Sequence, residues 1–142
     1  MRVALQPAYI NQSDWMAYKD RRVRAVSQYK LIDEAQLSSF QSGLRFIDGR
    51  AKPAYGAYKL PIWVSRRGSR LRVYGQVRPA PDSTPQVVQI QVRPKGGAFT
   101  TVKTLTVRSR KGQFLTRVPR RAGVWRLAWG DLVSREARVA RR

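Results

Sequence analysis

From residue 61 onward the chain keeps a two-residue rhythm of apolar and polar side chains, and no helical period competes with it. Residues 70–78 place Leu71, Val73 and Val77 on one face and Arg70 and Arg72 on the other. Residues 86–93 turn Val88, Ile90 and Val92 inward and Gln89, Gln91 and Arg93 outward. Further strands are expected at Phe99–Arg108, Gln113–Val118, Val124–Trp129 and Val133–Val139, with Ile62–Val64 ahead of them. Seven short strands at regular spacing, broken by Pro-rich, Gly-Gly or Lys-Gly stretches, predict a β-sandwich over residues 61–142. Lys111-Gly112 and Gly130-Asp131 are the tight-turn signals. Trp125, Trp129, Phe99 and Phe114 are expected in its core, and Trp63 at the junction with what precedes.

Residues 1–60 mix periods. Asn11 or Ser13 is placed to cap a helix through Asp14-Trp15-Met16-Ala17-Tyr18-Lys19, with Asp14 in the favourable first turn. Val23, Ala25, Ser27, Tyr29 and Leu31 alternate with Arg24, Val26, Gln28, Lys30 and Ile32. Apolar members on both faces predict a substantially buried strand. A polar loop through Ser38-Ser39 follows, then a turn at Asp48-Gly49, and a helix from Pro53 that Pro61 stops.

Of the 142 residues, 29 are Lys or Arg and 8 are Asp or Glu, a net charge of +21. With 42% apolar residues the chain is too hydrophobic for a disordered basic tail and should bury a core. It has no Cys and no His, which excludes disulfides, thiolate zinc sites, cysteine nucleophiles and Ser-His-Asp chemistry. No metal site and no cofactor is expected. The start, Met1–Pro7, lacks an apolar run of signal-peptide length, and no stretch is long enough to span a membrane. A soluble chain without its own export signal is expected.

Chemistry is sparse. Asp33 and Glu34 are adjacent, so on a strand they point to opposite faces and cannot flank one bond as an acid/base pair. Asp14, Asp20, Asp48, Asp82, Asp131 and Glu136 are scattered and read as caps, turns or surface charges. No phosphate-binding glycine loop or nucleophile elbow is present. No catalytic residue is assigned.

The charge is uneven: residues 1–60 hold 10 basic and 5 acidic side chains (+5), residues 61–142 hold 19 and 3 (+16). Arg66, Arg67, Arg70, Arg72, Arg110 and Lys111 form the candidate surface for nucleic acid or another polyanion. Arg120-Arg121 and Arg141-Arg142 are further basic clusters. The 22 Arg to 7 Lys are equally what GC-rich coding produces, and a solvated basic face remains the alternative.

One resemblance runs through the chain. Ala8–Tyr18, Arg22–Asp33, Phe40-Gln41-Ser42-Gly43-Leu44-Arg45-Phe46, Asp48-Gly49-Arg50-Ala51-Lys52-Pro53-Ala54-Tyr55 and Ala57-Tyr58-Lys59-Leu60-Pro61 occur in that order. Together they resemble the end of the (β/α)8 barrel of secreted actinobacterial glycoside hydrolases of the cellulase-like clan. In that family an immunoglobulin-like or fibronectin-III-like sandwich often follows, with a final hairpin similar to Gly123-Val124-Trp125-Arg126-Leu127 and Ser134-Arg135.

The resemblance implies a mainly β chain, a short α/β remnant of a TIM barrel at 1–60 followed by a seven-stranded sandwich at 61–142. It implies a non-catalytic C-terminal portion, because the family's catalytic glutamates end the fourth and seventh strands and would fall upstream of Met1. The partner would be a polysaccharide reached through the parent enzyme, and the location extracellular through that parent. Since barrel sites sit at the C-terminal ends of strands, Gln28, Tyr29, Asp33 and Gln41 are the candidate substrate contacts.

Overall fold

The computed structural model describes residues 2–36, 38, 41–80 and 84–140. The chain divides into two compact units, Met1–Tyr58 and Lys59–Arg142.

In the first unit a 3-10 turn at Val3–Leu5 leads into helix α1, Gln6–Lys19. The helix starts well before the expected Asn11 or Ser13. Pro7 in its first turn explains this, since proline's fixed φ suits a helix start and its missing N–H would have no intrahelical partner there. Asn11 is buried and its Nδ2 donates to the Ala57 carbonyl at 2.9 Å, while the Ser13 hydroxyl donates back to Ile10 O at 2.8 Å. Asp14 is consequently a buried mid-helix residue, not a first-turn acid.

The buried strand expected across Val23–Ile32 does not form. Val23, Val26, Leu31 and Ile32 are each at least 41% exposed and Tyr29 is 88% exposed. Only the end of the segment is paired: Ile32 bridges Arg45 in parallel, with Arg45 N–H donating to Leu31 O at 2.8 Å and Asp33 N–H to Arg45 O at 3.1 Å. Alternation specifies a strand only where neighbouring backbone accepts its hydrogen bonds and a layer covers each face. Neither is provided for residues 23–30.

A small hairpin follows. Phe46 N–H donates to Arg50 O and Lys52 N–H to Leu44 O, around a turn where Gly49 takes φ +82° and Asp48 Oδ1 accepts the Arg50 N–H. Helix α2, Pro53–Lys59, closes the unit. Trp15, Leu44, Ala54 and Ala57 are its buried apolar residues.

The second unit holds β1 Ile62–Arg67, β2 Arg70–Gln76, β3 Gln86–Arg93, β4 Thr100–Val107, β5 Gln113–Pro119, β6 Val124–Trp129 and β7 Leu132–Val133. They form two antiparallel sheets, β1-β2-β5 and β4-β3-β6-β7. Ile62, Val64, Leu71, Val73 and Val118 from the first sheet meet Val88, Ile90, Val92, Trp125 and Leu127 from the second in one sandwich-like core. Fully burying each such side chain contributes roughly 1.5–3 kcal/mol, so this layer stabilises itself. Gly75 leaves room for it: a Cβ there would collide with the Phe114 ring and Leu127 Cδ1.

Three local expectations change. Phe99 is half-buried rather than core, lying under the guanidinium groups of Arg126 and Arg93 at 3.9 and 4.9 Å. Trp129 is also half-buried, its Nε1 donating to Gln86 Oε1 at 2.8 Å. The last strand stops at Val133, because the Ser134 hydroxyl accepts the Leu127 N–H at 2.8 Å in place of a continued ladder. Ala137 then bridges Trp125, and Ala140 N–H donates to Val64 O at 2.8 Å, carrying the chain from one sheet to the other.

The Lys111-Gly112 turn is present, with Gly112 at φ +66°, but it joins β4 to β5 across the two sheets. β4 is an edge strand with a register shift opposite Ile90/Gln91. Lys103, paired with core-facing Ile90, reaches the other sheet, where Nζ donates to Thr116 Oγ1 at 2.7 Å and Arg117 O at 3.3 Å.

Candidate functional site

Gln28, Asp33 and Gln41 are brought onto one polar cluster in the first unit. Gln28 Nε2 donates to the carbonyls of Ser42 at 2.9 Å and Lys30 at 3.1 Å. Gln41 Nε2 donates to the Gln36 carbonyl at 2.9 Å. Asp33 Oδ1 accepts the Gly43 N–H at 3.0 Å and Lys52 Nζ at 2.6 Å, and Lys52 also donates to Gln41 O at 3.3 Å. The Asp33 and Lys52 side chains are 8% and 2% exposed. Gly43 makes this approach possible, since a Cβ there would strike the Ile32–Asp33 backbone.

Such a pair holds the segment 31–33 to the hairpin and leaves Asp33 committed to Lys52 and Gly43. Tyr29 stands apart and exposed, its ring 5.6 Å from Lys30 Nζ. Lys52 is the residue sequence reasoning missed as a partner for Asp33. Two other described carboxylates are ion-paired: Glu34 with Lys30 and Glu136 with Arg93. Side-chain hydrogen bonds from Arg22 and Arg50 hold the Asp20 and Asp48 carboxyls below their ordinary range.

The basic residues sort differently. On the outer face of the three-stranded sheet, Arg67 stands opposite Arg70, and Arg72 opposite Arg117 on its other side. Directly opposed residues bring their Cβ atoms within roughly 4.5–5.5 Å, and like charges so placed are destabilising. Arg70 faces Pro119, after which Arg120 and Arg121 follow, both exposed.

Arg66 pairs with core-facing Leu71, so it shares the opposite parity and projects at the strand's open end. Arg110 and Lys111 lie before Gln113, at the far end of β5, about 20 Å along a seven-residue strand from Pro119. The structure thus gathers Arg67, Arg70 and Arg72, adds Arg117, and separates Arg110 and Lys111. Arg117 was signalled only by the alternation of Gln113–Pro119. Asp82, Arg141 and Arg142 lie outside the described residues, as does Ser39 of the expected polar loop.

Among the described residues, no group of three or more Asp, Glu, His or Cys side chains is placed to hold a metal ion. No helix among them is long and apolar enough to cross a membrane. Comparison with family models, with curated proteins and with solved structures finds no match to this chain.

Proposed function

We propose that this chain is the non-catalytic C-terminal portion of a secreted glycoside hydrolase. Its first 60 residues are then a remnant of the (β/α)8 barrel, and residues 61–142 an immunoglobulin- or fibronectin-III-like sandwich that braces the barrel or lies against glycan. The observation that carries this reading is the exposed segment Val23–Ile32. It alternates with apolar members on both faces, yet Val23, Val26, Tyr29, Leu31 and Ile32 stand in solvent. That pattern belongs to a strand covered on both sides, as barrel strands are, so the segment fits a larger body that supplies the missing neighbours.

The strand order supports the sandwich assignment. First, second and fifth strands lie in one sheet and third, sixth and seventh in the other, as in immunoglobulin-like sandwiches, with the fourth strand paired to the third instead of joining the first sheet. The resemblance of residues 8–61 supplies the enzyme class.

The test is to express the chain with the reading frame upstream of Met1 and compare amide exchange with the chain alone. Residues 22–32 should gain protection in the longer product, and the chain alone should turn over no glycoside. Unchanged exchange, or turnover by the chain alone, overturns the reading.

A second reading is favoured by the strand register: the arginine-bearing face of β1, β2 and β5 binds a polyanion. An anion between Arg67 and Arg70, and between Arg72 and Arg117, would turn two opposed like-charge pairs into bridged ones.

A further inference from the structure

We infer that the exposed end of the outer face of β1, β2 and β5, where Arg67, Arg70 and Arg117 stand, docks a linear acidic polysaccharide, one whose repeating units carry carboxylates. The inference rests on the polyanion reading above and names its occupant. Three observations carry it.

The first is charge without counter-charge. Arg67, Arg70 and Arg117 are exposed on this face, and β1, β2 and β5 contain no Asp or Glu. The ion-paired carboxylates described above, on Asp20, Asp33, Glu34, Asp48 and Glu136, are engaged by Arg22, Lys52, Lys30, Arg50 and Arg93.

The second is the contrast with the other sheet. There Arg126 Nε donates to Gln91 Oε1 at 2.8 Å, and Arg93 is held by Glu136 at 2.7 Å. Gln91 bonds Gln89 and Thr101 in turn. On that face Arg126 is held by the neutral Gln/Thr network and Arg93 by a carboxylate, whereas β1, β2 and β5 offer their arginines no acidic neighbour in the sheet.

The third observation chooses the polymer. Strands about 4.8 Å apart, with like-facing residues about 6.6 Å apart along each, space the Cβ atoms from which these arginines reach out. Guanidinium groups take carboxylates by paired N–H···O bonds. Single-stranded nucleic acid needs exposed rings for its bases to stack on. The aromatic side chains on this face, Trp63 and Tyr74, are half-buried and buried. The exposed arginines here lie within the strands of a sheet, not on a helix that could enter a duplex major groove.

The experiment measures binding of the purified chain to polygalacturonate, neutral dextran, and single- and double-stranded DNA, at low and at physiological salt. It compares the wild-type chain with an Arg67→Gln/Arg70→Gln/Arg117→Gln variant and with an Arg110→Gln/Lys111→Gln control, each checked for folding by circular dichroism. Polygalacturonate should bind more tightly than DNA or dextran. The triple variant should weaken it about tenfold and the control by less than about twofold. If the triple variant does not fold, Arg70→Gln alone, at the exposed start of β2, should still weaken binding more than the control does. Equal losses in both variants overturn the site. Tighter DNA binding, lost in the triple variant, overturns the occupant and leaves the polyanion reading standing. Absence of any polyanion binding at low salt overturns both.

Discussion

Different physics holds each of the two units together internally. The second closes two sheets on side chains such as Trp125, Val73 and Ile90, all fully buried. The first depends on polar links: Asn11 to the Ala57 carbonyl, and Lys52 to Asp33 and Gln41. It also leaves Val23, Val26, Tyr29 and Leu31 in solvent. Non-directional burial fixes a fold wherever apolar faces meet, whereas polar links fix it only where each partner stays in place.

The strongest way to break this comparison is to empty the sandwich core. Trp125→Ala should cost about 3–5 kcal/mol, read as a lowered urea midpoint. Trp125→Phe should cost much less, because the Trp125 indole N–H has no hydrogen-bond partner among the described residues and loses none. Comparable losses in the two variants would show that the ring's volume is not what matters.

Next in size is the buried ion pair. Lys52→Met should destabilise the first unit by about 3 kcal/mol, since it leaves Asp33 buried without its cation. Adding Asp33→Asn should recover part of that loss. Exchange of the Arg45 and Lys52 amides, which bond Leu31 and Leu44 carbonyls, is the local readout. A double variant no better than the single one would deny the pair its role.

A third prediction concerns the chain as it stands. Amides of residues 24–30 should exchange within the mixing time, while those of β2, β3 and β6 should follow global unfolding. Uniformly high protection across residues 8–58 would erase the distinction between the units.

The smallest effect is on pH. The carboxyls of Asp20 and Asp48 are held below their ordinary range by Arg22 and Arg50, so the folded chain binds fewer protons there than the unfolded chain. Their contribution is present above the ordinary carboxylate range and is lost as pH falls through the lowered values. Both sites are solvent-exposed, so Asp48→Asn should move the acid unfolding midpoint only slightly. A large shift would mean that the turn at Gly49 carries more of the first unit than its exposure allows.

These contrasts also explain what could be read from the chain in advance. β3 and β6 run over the residues where alternation put them, because Val88, Ile90 and Val92, and Trp125 and Leu127, declare their faces locally. Val23–Ile32 carried an equally clear pattern and formed no strand, since pairing depends on backbone that the pattern itself does not supply. The Asp33–Lys52 pair joins residues 19 apart through a hairpin and a glycine contact, and no spacing rule announces it. Arg70 and Arg72 were visible as one strand face. That Arg117 stands beside Arg72 is a matter of register, which appears only when β2 and β5 are laid together.

Lys103 has a consequence for solubility. β4 is an eight-residue edge strand, Thr100–Val107, rich in Thr, Val and Leu, and an open edge of that kind is a template for another chain's backbone. Lys103, on the core-facing register yet exposed and anchored to Thr116 and Arg117, places a cation at this edge, and the register shift beside it interrupts the ladder. Removing that ammonium group should open the edge to the backbone of a second chain, so self-association would set in at a lower concentration.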